Sequence, residues 1–453
     1  MIRTRKPLRR WLGAGMQRGG LADGAQGFGR WLGKGIWAVT DQGLFATANF
    51  VLNVLLARWL TPHDYGVFTV AFAVFLSFGT VHTALLTEPM LILGPGWYRD
   101  RLSGYLDVLL YGHFGLAALG SLLLLLAGLG FRFAGLNAFS SALLGFAPAG
   151  PFILFLWLMR QACYVRFEPH LAASGGLLYM ALMVASLYAL HLREWLSAVS
   201  ALGVMGFSSL AAGVWIATRL HINWPPPVSQ GLSREVLKDH WGYGRWAAAS
   251  HALTWIPGNV YYLLLPAWGG LEASAVFKAL MNLIMPILHA NTALSALLVP
   301  TLVRARRDGG FGRLVCLALA LLTLGSALYL VLLGLFHHQL VTWLYRGQYR
   351  EYADLLWLLG FSLLMTGAVN VLGAVLRALE RPDRVFWAYL WTTAVALTLG
   401  FGFIAAWGVV GAAVGYLLST AAKALAMWAY CRGLKGARCS RGAKDVVGTT
   451  QVL

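Results

Sequence analysis

Twelve long apolar stretches restrict the fold of this chain more than any other feature of its sequence. A helix of about 20 mostly apolar residues is long enough to cross the hydrocarbon core of a bilayer. Only 11% of the 453 residues are charged, whereas an average soluble domain carries about 25%. We therefore predict an all-α polytopic membrane protein with about twelve transmembrane helices. The stretches cover 36–57, 66–93, 104–129, 138–159, 170–190, 196–218, 245–268, 272–302, 314–336, 353–376, 385–407 and 408–431.

The positions of the basic residues predict the orientation of these spans. With the N-terminus inside, 28 of the 35 Lys and Arg residues lie on the cytoplasmic side and 5 lie outside, while Lys278 and Lys423 fall within spans. Cytoplasmic loops carry such an excess of basic residues. We therefore place both termini in the cytoplasm. The net charge of +18 comes mainly from these basic residues between apolar stretches. We therefore expect no nucleic acid as a partner.

A hydrophilic segment with three consecutive prolines (225–227) divides the spans into two sets of six. Proline cannot continue a helix, so this segment predicts a break between two lobes. The predicted organisation is a basic cytoplasmic tail (1–35), an N-terminal six-helix lobe (36–218), a cytoplasmic linker (219–244), a C-terminal six-helix lobe (245–431) and a second basic tail (432–453).

The two halves also show a weak internal repeat. An offset of 209 residues aligns Trp59 with Trp268, Val67 with Val276 and Phe68 with Phe277. Tandem six-helix halves in one orientation predict parallel repeats, and in transporters built this way the substrate site lies between the halves.

The sharpest polar signal is a stripe along span 8, whose other faces are apolar. At 100° per residue its members share one side of the helix: Ser274, Lys278, Asn282, His289 and Thr292. Because a charged group at bilayer depth is costly, we expect this face to line a water-filled cavity, with Lys278 as a cation for an anionic substrate. The alternative is a Lys278 side chain that reaches outward to the interface. Pro286 predicts a kink.

Spans 1 and 7, which the repeat makes equivalent, each carry one polar face as well. The polar positions are Asp41, Gln42, Asn49 and Asn53 in span 1, and His251, Thr254, Trp255, Asn259 and Tyr262 in span 7. Together with span 8, these faces are typical of helices around a central cavity. The alternative is hydrogen bonding between helices in a dry bundle.

Two acidic residues within the spans are candidates for ion coupling or gating. Asp41 is a candidate proton or cation site, and otherwise a partner for a cytoplasmic arginine. Glu88 precedes Pro89, which weakens the local helix, and Glu88 is placed to pair with Arg99 or Arg101.

No pattern typical of an enzyme appears. The sequence contains no phosphate-binding loop of the GxxxxGK[ST] type and no GxSxG motif. His337 and His338 form an outer-loop pair without a third ligand nearby in sequence, so we predict no metal site there. We also predict no cofactor.

Four short segments resemble the polysaccharide transporter branch of the MOP flippase superfamily, the Wzx-type flippases. ARWLTPHDYGVF (57–68) resembles that branch's loop between spans 1 and 2, and LYRGQY (344–349) resembles the loop before span 10. VLRALERP (375–382) resembles the turn after span 10, and WGVVGAA (407–413) resembles the opening of the last span.

This resemblance implies two six-helix lobes in a V around a cationic cavity that works by alternating access. It implies a flippase that moves an undecaprenyl-diphosphate-linked oligosaccharide across the bacterial inner membrane for surface polysaccharide biosynthesis. Partners would be the lipid-linked oligosaccharide, membrane lipids, and glycan polymerase or glycosyltransferase proteins. Alternatives are a MATE-type multidrug or cation antiporter and a non-transporting membrane partner of a glycan synthase. The candidate substrate-binding residues are Lys278, Arg245, Asn282, His289, Asn259 and Arg58.

Overall fold

The computed structural model describes residues 21–222, 230–308 and 310–448. Within these ranges the regular structure is helical throughout. The first seven α-helices are α1 (Leu21–Trp59), α2 (Pro62–His82), α3 (Glu88–Leu93), α4 (Leu102–Phe133), α5 (Asn137–Val165), α6 (Pro169–Leu192) and α7 (Ala198–Arg219). The π-helical turn Thr83–Thr87 joins α2 to α3 without a break.

The second half of the chain repeats this arrangement. Its helices are α8 (Gln230–Leu264), α9 (Pro266–Asp308), α10 (Phe311–Leu335), α11 (His337–Tyr345), α12 (Leu355–Ala378), α13 (Pro382–Val395) and α14 (Phe401–Gly448). In the N-terminal lobe α5 packs against α4 and α7, and α6 packs against α1. In the C-terminal lobe α12 lies among α9, α10 and α14.

The predicted fold class is confirmed. Nine helical segments of the described ranges are long and apolar enough to cross a membrane. One of these, Pro382–Gly433, contains two predicted spans. The polar-faced helices α1 and α8, which we predicted as spans 1 and 7, complete the set of about twelve.

Predicted spans 11 and 12 meet at residues 407 and 408, and the structure has a tight turn at Gly408. This residue has φ 54° and ψ −123°, and it interrupts the otherwise helical backbone of α14. A side chain disfavours this positive-φ conformation, so glycine is the residue that fits the turn. The chain also folds back closely here, and a Cβ at Gly411 would clash with the Phe403 carbonyl oxygen.

The structure adds two details about helix continuity. The last part of the predicted linker (219–244) is helical, because α8 begins at Gln230. Pro286, where we predicted a kink, lies inside α9, and the non-helical residue of α9 is Gly270, with φ 70° and ψ 179°. The triple proline lies outside the described residues.

The two lobes meet closely at the end of the bundle that holds Trp59 and His63, which we call the predicted periplasmic end. A Cβ at Gly66 would clash with the Leu271 carbonyl oxygen, so α2 and α9 are in backbone contact there. His63 Nδ1 lies 2.9 Å from Glu272 Oε1, and these residues are 209 positions apart. This separation equals the offset of the sequence repeat, as expected where the axis relating the two lobes passes.

A second pair of contacts follows the same offset. The Tyr65 hydroxyl donates to Asn53 Oδ1 at 3.2 Å in the N-terminal lobe. In the C-terminal lobe the Ser274 hydroxyl donates to the Tyr262 carbonyl at 2.9 Å. Tyr262 and Ser274 occupy the positions 209 residues after Asn53 and Tyr65, so both lobes join their first two spans at matching points.

The orientation leads to a labelling prediction. Cysteines that replace Arg193 or Gln348 should react with membrane-impermeant maleimide added to intact cells, because both residues lie at the predicted periplasmic end. Cysteines at Ser229 or Gly309, which lie outside the described residues, should react only after the cells are opened. Labelling of Ser229→Cys in intact cells would contradict the six-plus-six arrangement.

Candidate functional site

The polar stripe of α9 passes from buried to exposed along the helix. Ser274 and Asn282, near the predicted periplasmic end, are 0% and 4% exposed, whereas His289 and Thr292 are exposed. Polar side chains at membrane depth are expected to face protein or a water-filled space rather than lipid. The stripe therefore indicates that the lobes are in contact in one half of the bundle and apart in the other.

Lys278 lies between Ser274 and Asn282, within the buried half of the stripe. Its Nζ lies 5.3 Å from the centroid of the Tyr262 ring, a cation–π contact. Its side chain is half-buried, and no carboxylate lies within salt-bridge distance among the described residues. A lysine at the bilayer centre costs about 2.5–3.5 kcal/mol. Lys278 thus supplies a positive charge that the protein's own acidic groups leave unneutralised.

Two buried donors on the polar face of α8 have no hydrogen-bond partner within the described residues, Tyr262 Oη beside this lysine and Trp255 Nε1 two turns earlier. Asn259 donates to the Trp255 carbonyl of its own helix at 3.1 Å. Asn282 donates weakly to the Phe50 carbonyl across the lobes at 3.4 Å and also hydrogen-bonds Tyr345. We call Lys278, Tyr262, Trp255, Asn259 and Asn282, which lie on the polar faces of α8 and α9, the interlobe site. The unused donors of Tyr262 and Trp255 are available to a polar ligand.

Asp41 does not belong to this site. Arg160 on α5 donates to both of its carboxylate oxygens, with Nε at 3.0 Å from Oδ1 and Nη2 at 2.8 Å from Oδ2. The Tyr164 hydroxyl donates to Oδ2 at 2.6 Å, and the Arg160 guanidinium stacks on Phe45 at 4.0 Å. Asp41 is 0% exposed and Arg160 is 7% exposed. Its charge is therefore neutralised inside the N-terminal lobe.

Sequence analysis missed Arg160, because its position at the end of an apolar stretch places it in a cytoplasmic loop. The alternative prediction for Asp41 was a cytoplasmic arginine as its partner. The observed partner is an arginine, but it is buried rather than in a cytoplasmic loop. One signal pointed to it: Asp41 and Arg160 both fall at the cytoplasmic ends of predicted spans.

Glu88 lies between the lobes, but its predicted partners are wrong. The Tyr243 hydroxyl donates to Glu88 Oε1 at 2.6 Å, and His251 Nε2 lies 2.7 Å from Oε2. Arg101 instead makes a bidentate pair with Glu235, with both distances 3.1 Å. Glu88 thus connects α3 of one lobe to α8 of the other.

The first half of α8 is attached to the N-terminal lobe by further hydrogen bonds. The Tyr98 hydroxyl donates to Asp239 Oδ2 at 2.8 Å. The Tyr105 hydroxyl and His240 Nε2 are 2.6 Å apart, and His240 Nδ1 lies 2.8 Å from the Leu85 carbonyl. The sequence repeat assigns this helix to the C-terminal lobe. Its first half nevertheless contacts the N-terminal lobe.

The remaining predicted cations lie away from the interlobe site. Arg58 donates from Nη1 to the Trp343 carbonyl at 2.7 Å and to the Leu344 carbonyl at 3.3 Å, so it joins α1 to the end of α11. Arg245 is exposed near the middle of α8, and its guanidinium lies 5.6 Å from the Trp246 ring centroid. Arg58 thus connects the lobes at the predicted periplasmic end, and Arg245 is free to contact a ligand at the opposite end.

Our reason for excluding a metal at His337 and His338 is also wrong. Asp354 follows them by 17 and 16 residues, and its Oδ1 lies 2.9 Å from His337 Nε2 and 3.3 Å from His338 Nε2. The fold therefore brings a third candidate ligand to the histidine pair.

Solved structures of known transporters share this fold. A multidrug resistance MATE family transporter of the MOP superfamily, in an inward-facing conformation, matches with a TM-score of 0.70 and 15% identity, over 92% of this chain and 100% of that chain. The lipid II flippase MurJ, in an inward closed conformation, matches with a TM-score of 0.72 and 11% identity, over 88% and 87%. A MOP superfamily transporter from Pyrococcus furiosus matches with a TM-score of 0.57 and 16% identity, over 90% and 95%.

These likenesses establish that the chain has the fold of MOP superfamily transporters. The predicted resemblance to that superfamily is confirmed at the level of fold, while the polysaccharide branch stays a prediction. No family model and no curated protein matches the chain.

Proposed function

We propose that the chain is a flippase that moves an undecaprenyl-diphosphate-linked oligosaccharide across the bacterial inner membrane by alternating access. The observation that carries this proposal is the charge balance between the lobes. Asp41 is neutralised by Arg160, and Glu88 accepts hydrogen bonds from Tyr243 and faces His251. Lys278 has no acidic partner, which favours an anionic ligand.

A diphosphate suits this arrangement. Its oxygens accept charge-assisted hydrogen bonds from an ammonium group, which are stronger than bonds between neutral groups. The unpartnered donors of Trp255 and Tyr262 would contact the first sugars once the ligand enters. The lipid tail would remain in the bilayer while the charged head moves between the lobes. The MurJ match names a lipid-linked substrate for that protein, which supports the same class here.

An antiporter for cationic drugs is the second candidate, because a MATE transporter shares the fold. Such a transporter needs an acidic group that is free to bind a cation. Within the described residues, the two acids that we predicted for coupling both have close partners. This observation favours the flippase over the antiporter. A non-transporting partner of a glycan synthase would leave the unpaired Lys278 without a role.

A cellular experiment distinguishes these candidates. Deleting the gene in its own bacterium should abolish the surface polysaccharide and leave resistance to cationic dyes unchanged, and re-expression should restore the polysaccharide. Increased sensitivity to dyes with a normal surface polysaccharide would support the antiporter and contradict the flippase.

A further inference from the structure

A cluster of three potential metal ligands lies at the predicted periplasmic end, apart from the interlobe site. His337 and His338 begin α11, and Asp354 directly precedes α12. One ligand atom from each residue lies within 4.8 Å of the other two. We propose that His337, His338 and Asp354 bind a divalent metal ion of the zinc type. This proposal does not depend on the transported substrate.

The distances suit such an ion. Zinc binds histidine nitrogen at about 2.0–2.1 Å in tetrahedral geometry, so neighbouring ligand atoms stand roughly 3.3 Å apart. Asp354 Oδ1 lies 2.9 Å from His337 Nε2 and 3.3 Å from His338 Nε2. A small adjustment of these side chains would admit the ion between them.

The hydrogen bond made by His337 orients its ring toward the cluster. Its Nδ1 lies 2.5 Å from the Gly334 carbonyl oxygen, which only accepts hydrogen bonds, so Nδ1 is the donor. Its Nε2 therefore faces the Asp354 carboxylate, 2.9 Å away. Metal-binding histidines are commonly oriented by such a bond from the other ring nitrogen to a carbonyl.

The three candidate ligands converge on one point. The His337 and His338 rings have centroids 4.2 Å apart, and both Nε2 atoms lie beside the same Asp354 oxygen. One divalent ion would bind both rings and the carboxylate. Imidazole and carboxylate ligands together suit zinc.

Space for the remaining ligands is present. A surface cavity of about 600 Å³ opens beside the cluster, lined by His338, Asp354 and Glu351 among others. The side chains of His338 and Asp354 are 45% and 75% exposed. Water or Glu351 can therefore complete the coordination of an ion held by three protein ligands.

The site would also stabilise a contact between the lobes. The ion would connect the start of α11 to the start of α12. The end of α11 and the loop that follows it contact Arg58 of α1. Arg58 donates to the carbonyls of Trp343 and Leu344, and Gln348 donates to the Arg58 carbonyl at 3.3 Å. Metal binding should therefore stiffen the C-terminal side of this contact.

Titration of the purified full-length protein tests the proposal. The protein should carry no histidine tag and should be stripped of metal before zinc is added during calorimetry. We expect one zinc ion per chain and a higher melting temperature with zinc. Asp354→Asn and His338→Ala should each weaken binding about tenfold or more, since even changes behind a ligand weaken metal affinity about 10–100-fold.

His63→Ala is the matched control. His63 and Glu272 form an exposed histidine–carboxylate pair of 2.9 Å at the same end of the bundle, but without a second histidine, so this variant should bind zinc normally. Visible absorption of cobalt bound to the wild-type protein would report metal binding directly. This measurement does not depend on whether any variant folds. Absence of stoichiometric zinc and cobalt binding by the wild type, or binding that survives both cluster variants, would overturn the proposal.

Discussion

Asp41→Asn should destabilise the N-terminal lobe strongly, and Arg160→Gln should do the same. Asp41→Asn leaves the buried Arg160 charge without its carboxylate, and Arg160→Gln leaves the buried Asp41 charge without its guanidinium. Breaking such a pair typically costs about 3–5 kcal/mol. The measurement is the melting temperature of purified protein, with Val39→Ala, at a 74% exposed position on the same helix, as the control that should stay unchanged.

The double variant separates the pair from its members. Replacing both charges removes the unpaired group, so Asp41→Asn with Arg160→Gln should be less destabilised than the sum of the two single variants. The coupling hypothesis for Asp41 predicts a different result: the single variant would melt normally and fail to transport. A normal melting temperature for Asp41→Asn would therefore contradict a structural role and restore Asp41 as a coupling residue.

Lys278→Ala and Lys278→Glu should lose surface polysaccharide export at normal expression. Hydrogen bonds to charged groups contribute about 1.5–3 kcal/mol, which corresponds to roughly 10- to 150-fold in affinity. Lys278→Glu should be the more severe, because it places a negative charge beside a diphosphate. Lys278→Arg keeps the charge with a different geometry, so we expect it to retain part of the export.

Lys423→Ala provides the control for this prediction. Lys423 is also a half-buried lysine, and its Nζ lies 5.0 Å from the Tyr389 ring centroid. Because it lies on α14, outside the interlobe site, its replacement should leave most export intact. Equal loss in Lys423→Ala, or full export in Lys278→Glu, would contradict the proposed role of Lys278.

Local sequence patterns predicted the helices well. The apolar stretches and the turn at Gly408 depend on residues close in sequence, so composition and periodicity are sufficient to find them. The stripe of α9 was predicted for the same reason, because helical periodicity alone places Lys278 and Asn282 on one side. Its division into a buried and an exposed half required knowing where the other lobe lies.

Partners distant in sequence were the main failures. Asp41 pairs with Arg160 across 119 residues, and Glu88 contacts His251 across 163 residues. Hydropathy cannot identify such pairs, because a charged residue near the end of a span has the same hydropathy whether it is buried or lies in a loop. Asp354 was missed for a related reason: the turn that returns it to His337 has no apolar periodicity.

The most direct test of the account is transfer of a lipid-linked glycan by the purified protein in vesicles. The substrate would be a short undecaprenyl-diphosphate oligosaccharide with a fluorescent sugar, and an impermeant quencher would report which leaflet holds it. Wild-type vesicles should move the label between leaflets, whereas Lys278→Glu vesicles and protein-free vesicles should not. Absence of transfer by the wild type, together with gradient-driven movement of a cationic dye, would contradict the flippase and support an antiporter.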